Sequence, residues 1–428
     1  MPKQLPFVLT LLVLSLASCS PATSEPYSPL ESPVPTSPAS TEPGPTVDPS
    51  HVGSIDLQLW LPVELSPAGE TPGAEILAQQ LADFAAGYTS LSVKVTEKNA
   101  QGEGGLLSFL LAAKDAAPSV LPDLAILDSA HLRAAQEAGL LQPVGELLPE
   151  DRLEDQFPFA VEMTTVGDTQ VGFVLGAQIL HAAYRPDLVA TAPVSWTQVV
   201  SNRIRFLFPA AGQNGLVDDA TLIQYLAATD RPLPAEGGPV LDGDALEAVL
   251  GFYGDAVTRG AVSAAAVLAI GSPDEAWERF LAGESSLSTV RSSRYWREAD
   301  ETMIPAQLPT RDGSTATVAD GWVIVLVTQS PERQAAALAL IDALTAPEPS
   351  ADWTRAGGFL PATREGLALW SDSADAVAAL RPLMESARPR PELPASTSQA
   401  IQAALESVLR GQATAPQATA AALEAVDQ

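Results

Sequence analysis

The sequence predicts an α/β protein built from two lobes, and three observations lead there. From Ile55 to Gly139 short apolar runs alternate with helical periodicity, strand then helix, three times over. That order implies a mostly parallel sheet with helices on its faces. Strand and helix patterns resume beyond Gly172. Finally, about 375 residues follow the proline-rich start, more than one apolar core ordinarily supports, so the mass should divide in two.

The chain opens with Lys3 and the apolar run Leu5–Leu16, the length of a signal-peptide core and too short to cross a bilayer. Leu16, Ala17 and Ser18 then lead into Cys19, the one cysteine of the chain. Small residues before such a cysteine look like a bacterial lipoprotein processing site. The expectation is a signal peptide over 1–18 and a lipidated Cys19, with each buried methylene of the acyl chains contributing about 0.8 kcal/mol of membrane attachment. A single cysteine also excludes an intramolecular disulfide. Residues 19–53 are rich in Pro, Ser and Thr, with prolines from Pro21 to Pro49 interrupting any periodicity. Such a segment buries no core and reads as a semi-extended tether.

Formal net charge is −29, which repels nucleic acid and anionic lipid and excludes both as partners, leaving the lipid anchor as the only membrane contact. The folded part begins where Ile55, Leu57 and Leu59 alternate with polar residues in a strand ending at Trp60. Ile76, Leu77, Leu81, Phe84 and Tyr88 mark an amphipathic helix, and Leu91, Val93 and Val95 a second strand. Leu106–Ala117 reads as a helix, and Leu124–Leu127 as a buried strand that stops at Asp128 and Ser129, an N-cap for the helix over 130–138. Ligands of such sheets bind beyond the carboxyl ends of the strands, which selects Trp60, Asp128 and Ser129 as candidates.

Gly172–Leu188 carries a long strand through Gly176 and Gln178. Ser195 and Trp196 open a helix in which the indole is assigned to the core. Ile204–Phe208 is a strand whose following loop offers the amides of Gln213 and Asn214, able to read hydroxyl groups. Helices follow over 220–228, 244–257 and 274–281. Leu287–Val290 is a strand, and the loop after it, Arg291 to Arg297, is the densest polar and aromatic cluster in the sequence. Arg291, Ser292 and Tyr295 lie nearest the strand end. Met303–Leu308 returns as a strand. Asp320, Gly321 and Trp322 then enter Val323–Val327, and Ser330 with Pro331 starts the next helix. Beyond Gly357 and Gly358, the stretch Phe359–Ala362 precedes a helical remainder.

Catalytic groups are sparse. The histidines are His51, His131 and His181, with no identifiable Ser or Cys partner. No phosphate-binding glycine loop or metal-ligand spacing occurs, so neither cofactor nor metal is expected. Paired carboxylates of the glycosidase kind stay open among 52 acidic residues.

An exposed Gly-Trp entering a strand, the alanine-rich helix after it, and Gly357-Gly358-Phe359-Leu360-Pro361-Ala362 together resemble the maltose-binding-protein-like group of extracellular solute-binding proteins. Pro122-Asp123 with the strand and helix ending in Ala138-Gly139-Leu140-Leu141-Gln142-Pro143 is similar to it as well, as is Phe280 to Gly283 before a strand. Arg185 after Tyr184 departs from the family's usual Tyr-Asn. The resemblance implies a periplasmic-binding-protein-like fold with three chain crossings, near Gly176, Met303 and Gly357. The first lobe would hold 54–175 and 303–356, and the second 176–302 and 357–428.

The resemblance further implies a monomeric, lipid-anchored component of an ABC importer, on the outer face of the cell membrane or in the periplasm. It would take a small solute from the cleft to permease subunits and carry out no catalysis. Trp60, Trp322 and Tyr295 for stacking, with Asp128, Gln213 and Asn214 for hydroxyls, favour a saccharide. Arg291 leaves an anion open. Ser129, Gln178, Ser292, Asp320 and Gly321 complete the expected ligand contacts. A surface enzyme acting on glycans, or an adhesion or sensor-partner protein, is the alternative from another class.

Overall fold

A computed structural model describes residues 55–427 apart from 89, 103, 146, 148, 149 and 230–240. The expected signal peptide, Cys19 and the tether to residue 53 lie outside the described residues. β1 (Ile55–Pro62) pairs in parallel with β2 (Leu91–Lys98) and with β3 (Leu124–Asp128). β4 (Thr165–Val166) and β5 (Thr169–Gln170) make a small hairpin. The other strands are β6 (Gly172–Tyr184), β7 (Phe206–Leu207), β8 (Leu287–Arg291), β9 (Ile304–Ala306), β10 (Thr317–Leu326) and β11 (Ala387–Pro389). They join one sheet in the order β2-β1-β3-β10-β6-β8-β7, with β11 on β10 and β9 on β6. The parallel part expected from β1 to β3 forms, and β10 then runs antiparallel to both β3 and β6.

β6 is long enough, at 13 residues, to serve two halves of this sheet. Its first part pairs with β10, and Leu180–Tyr184 pairs with β8. Where β6 meets β10 the backbones approach closely. A Cβ at Gly321 would stand 2.4 Å from the carbonyl oxygen of Gly176, and one at Gly176 would stand 2.7 Å from the Trp353 ring. Only glycine fits either place. Trp322 pairs with Gly176 and Val323 with Val174, so Leu175 is an extra, unpaired residue, a β-bulge.

Apolar packing is organised by the two faces of the sheet. On one side Leu57, Leu59, Ile126 and Ile324 pack with Leu77, Leu81 and Phe84 of helix Pro72–Gly87 and with Leu340, Ile341 and Leu344 of helix Pro331–Thr345. On the other, Ala125, Leu127, Val323 and Val325 pack with Leu106, Leu110, Phe157, Phe159 and Trp370. A separate cluster holds Leu180, Phe206, Phe208, Tyr253, Leu287, Ile401 and Leu405. Each fully buried Leu or Phe contributes about 1.5–3 kcal/mol. Trp196 belongs to this cluster, stacked on Phe252 at 5.0 Å, as a core indole should be. Ser195 caps its helix through a reciprocal bond with Gln198. Ser330 takes the N-cap position before Pro331, but its hydroxyl makes no capping bond.

Two segments differ from the sequence reading. The polar stretch after β8, expected as a loop, is the helix Ser292–Glu298: Arg297 and Glu298 face solvent while Tyr295 turns inward, an amphipathic pattern too short to stand out as periodic. Leu360, Leu367, Trp370, Leu380, Leu383 and Ala387, expected with the second lobe, pack with Trp60, Ala125 and Leu127. The chain rejoins the other cluster through Leu393 and then Ala400.

Asp123 fastens the amino end of β3. Its carboxylate, 5% exposed, accepts from the Gln58 amide at 2.8 Å and from the Arg333 guanidinium, with Nε at 2.6 Å and Nη2 on the second oxygen. Its carbonyl accepts from Val327 at 2.9 Å, so β1, β10 and helix Pro331–Thr345 meet on one residue. Removing a buried partner strands the remaining charge, and Asp123→Ala is expected to lower the urea unfolding free energy by about 3 kcal/mol. A loss below about 1 kcal/mol would assign the strand order to apolar packing alone.

Candidate ligand-binding cleft

A cavity of about 1160 Å³ opens where β3 ends, where β6 and β10 cross, and where β8 ends. That slightly exceeds the roughly 300–1,000 Å³ of most small-molecule sites. Its walls come from the elements of separate apolar clusters. Asp128, Ser129, Leu132 and Met163 stand on one side, and Gln213, Val217, Asp219, Ser272 and Arg291 on the other, with Gln178, Asp320, Gly321 and Trp322 between them.

Strand register sets the floor. Trp322 lies opposite Asp128 across β10 and β3, and Asp320 lies opposite Gln178 across β10 and β6. Asp320 and Trp322 are two apart and share a face. Trp322 is half-buried, its ring packed against apolar neighbours and still lining the cavity. The Asp128 carboxylate caps the following turn through the Ala130 amide at 3.0 Å and accepts from Gln101 at 3.2 Å. Ser129 Oγ accepts from the Gly321 amide at 3.3 Å, tying the end of β3 to β10. Gln178 accepts from Ser293 Oγ at 2.6 Å, which leaves its amide NH₂ for other partners.

Ionic contacts dominate the far wall. Arg291 Nη1 donates to Asp320 at 2.9 Å, and Arg291 Nη2 stands 3.7 Å from Asp219. Arg390 Nε donates to Asp219 at 2.6 Å. Burial works against the Arg291 charge, yet Asp320 and Asp219 outweigh it and hold the guanidinium more firmly protonated. Burial raises the Asp320 carboxyl above its usual range even though Arg291 opposes it. Asp218 is pushed up to about 7, first by burial and next by the neighbouring Asp219 charge. Its Oδ1 also caps helix Asp219–Ala228 through the Ala220 amide at 2.9 Å.

Asp128, Ser129, Gln178, Gln213, Asn214, Arg291, Asp320, Gly321 and Trp322 of the sequence candidates thus line one cavity. Trp60, Ser292 and Tyr295 do not. The Trp60 ring is buried under the Lys98 ammonium, 5.3 Å away, because its place in β1 turns it into the core. Ser292 is fully buried and its Oγ accepts from the Ile179 amide at 3.1 Å, so it positions β6. Tyr295 donates to the Met303 carbonyl at 2.9 Å and packs edge-on against His181. Sequence reading missed Asp218, Asp219 and Arg390. The Asp-Asp pair before helix 220–228 was a visible signal, since two carboxylates exceed what one N-cap needs. Arg390 gave none, standing among prolines.

Among the described residues no group of His, Cys, Asp or Glu is placed to hold a metal ion. The arrangement can stack a ring on Trp322 and exchange hydrogen bonds with hydroxyls through carboxylates and amides. The titration of Asp218 carries a sign that can be checked. Unfolded, its carboxyl ionises near 3.8; folded, near about 7. Between these values the folded state keeps a proton that the unfolded state has lost, so this group's contribution to stability falls as pH rises from about 4 to about 7. Asp218→Asn keeps the capping oxygen. It should be more thermostable than wild type above pH 7, with the gap closing toward pH 4; a pH-independent gap would contradict the raised carboxyl.

Residues 79–380 match the family described as bacterial extracellular solute-binding protein. No curated protein sequence matches the chain. The fold is similar to that of the cyclic α-maltosyl-1,6-maltose binding protein from Arthrobacter globiformis, with TM-score 0.72, 19% identity, 88% of this chain and 98% of that one covered. The sugar-binding protein MalE from Xanthomonas citri gives TM-score 0.69 at 22% identity, covering 87% and 96%. A solute-binding protein of Thermotoga lettingae bound with α-D-tagatose gives 0.62 at 19%, covering 87% and 99%. These likenesses establish the two-lobed α/β fold with a cleft between lobes. With the family match spanning most of the folded part, the chain belongs to the bacterial extracellular solute-binding proteins.

Proposed function

We propose that this protein is the lipid-anchored receptor of an ABC importer, which closes two lobes around a saccharide and hands it to a membrane permease. The observation that carries the reading is the cavity at the β3, β6 and β10 junction, which the half-buried Trp322 lines together with Asp128, Gln178 and the Gln213–Asn214 turn. An aromatic face against a sugar ring and fixed amide and carboxylate partners for its hydroxyls are what a neutral, polyhydroxylated guest requires. An anionic guest is disfavoured, because Arg291 is already engaged by Asp320 and Asp219. The sugar-binding proteins of similar fold support the same guest class.

The lobes divide according to apolar packing. One takes β1–β3 with the helices on their two faces, including residues 360–387; the other takes β7, β8 and residues 400–426. Crossings then fall within β6, near Val318 and Ala319, and over 388–399. Several crossings permit closure and limit other motions. Micromolar affinity would supply about 8 kcal/mol, ample to shift an open state favoured by a few kcal/mol.

A thermal-shift screen with neutral mono- and oligosaccharides should find a stabilising ligand, adding about 2.7 kcal/mol at a hundredfold excess over Kd. Trp322→Ala should weaken that ligand about tenfold or more by titration calorimetry. No shift with any saccharide would sink the sugar assignment, and turnover in place of stoichiometric retention would make the protein an enzyme. For the anchor, Cys19→Ser should abolish incorporation of radiolabelled fatty acid and release the protein into the soluble fraction; labelling that persists would place the lipid elsewhere.

A further inference from the structure

The charges that line the cleft do not cancel. Its basic groups are Arg133, Arg291 and Arg390, and each is spoken for by a carboxylate that also lines it: Glu392 at 3.5 Å, Asp320 at 2.9 Å and Asp219 at 2.6 Å. Asp218 has no cation of its own among the described residues: Arg291 and Arg390 are bonded to Asp219 and Asp320, and its carboxyl accepts from the Ala220 amide. Asp128 and Glu162, which line the same cavity, form no ion pair among the described residues.

General acidity of the surface serves solubility, but it does not account for two adjacent carboxyls set into a cleft wall. Such a pair is costly unless one member is protonated or a positive group comes between them and solvent. The charged and titratable neighbours of Asp218 are Asp219 on the same helix, Arg291 at the end of β8, Arg390 after β11, and Tyr253 from helix Gly243–Thr258. None is an unpaired cation.

We infer that the cleft takes a saccharide bearing an amine, its ammonium set against Asp218 in the cavity that Trp322 also lines. This rests on the saccharide reading above and narrows it. Asp218 alone then exchanges one positive partner for another: the proton it holds near neutral pH leaves to solvent, and the ammonium takes its place. Binding of the amine is therefore coupled to release of one proton, whereas binding of the hydroxyl analogue is not.

The test is titration calorimetry on the full chain with matched pairs differing in one group: 6-amino-6-deoxymaltose against maltose, and 6-amino-6-deoxyglucose against glucose. At pH 7.5 the amine member of at least one pair should bind about tenfold tighter than its hydroxyl parent. The ratio of the two dissociation constants should fall toward one at pH 5.5, as the Asp218 carboxyl keeps its proton. Titrations at about pH 6 in buffers of different ionisation enthalpy should count close to one proton released with the amine and none with the parent. In Asp218→Asn, which preserves the helix cap, the ratio should drop toward one. Hydroxyl parents that bind as tightly as the amines, or an amine preference that survives in Asp218→Asn, would overturn the inference and leave the saccharide receptor intact. If no member of either series binds, the saccharide reading itself fails, and this inference with it.

Discussion

Everything in this molecule depends on β10 lying hydrogen-bonded between β3 and β6. From Trp322 to Leu326 it pairs residue for residue with Asp128 to Leu124, and along its other edge it pairs with β6 from Gly172 to Ile179. A central strand with both edges satisfied cannot slip without breaking two ladders at once, and a slip of one residue would turn every side chain to the opposite face. The position of Trp322 over the cavity is thus inherited from the sheet. The cost is sequence freedom at the crossing, where Gly176 and Gly321 leave no room for a side chain.

That constraint explains which features were legible beforehand. The alternation in β1, the continuous apolar run of β3 and the Gly-Trp entry of β10 announce themselves because each is a local pattern with a single structural solution. Gln178, Asp320 and Trp322 came with the family resemblance, Asp128 and Ser129 from the rule that strand ends carry the site, and all of them line the cavity. Trp60 obeyed the same rule and still points into the core, because its strand continues two residues past it to Pro62 and the true end lies farther on. Ser292 and Tyr295 were selected by proximity to a strand end, but a short helix there turns both inward. Helix faces in so short an element cannot be read from seven residues.

Long-range assembly was least legible. The segment 360–387 sits with the first apolar cluster, and nothing local distinguishes its Leu and Val residues from those of the terminal helices. Arg390 reaches Asp219 across 171 residues of chain, a contact that depends on where β11 joins β10 and on no pattern near either residue. Charge pairing of this kind follows from topology and becomes readable only when the sheet order is known.

Leu175 has a last consequence. Before it, Val174 faces the Leu127 and Val325 side of the sheet together with the even-numbered positions; after it, Ala177 and Ile179 occupy that side and the odd-numbered positions have taken over. The inserted residue exchanges one face of the sheet for the other halfway along one strand, and by doing so it delivers a polar amide, Gln178, to the opening and sends Ile179 to the apolar side of Leu127 and Val325. Parity along this backbone is a switch thrown once, and a lineage that lost or gained one residue there would keep its sheet while burying the amide that now lines the cavity.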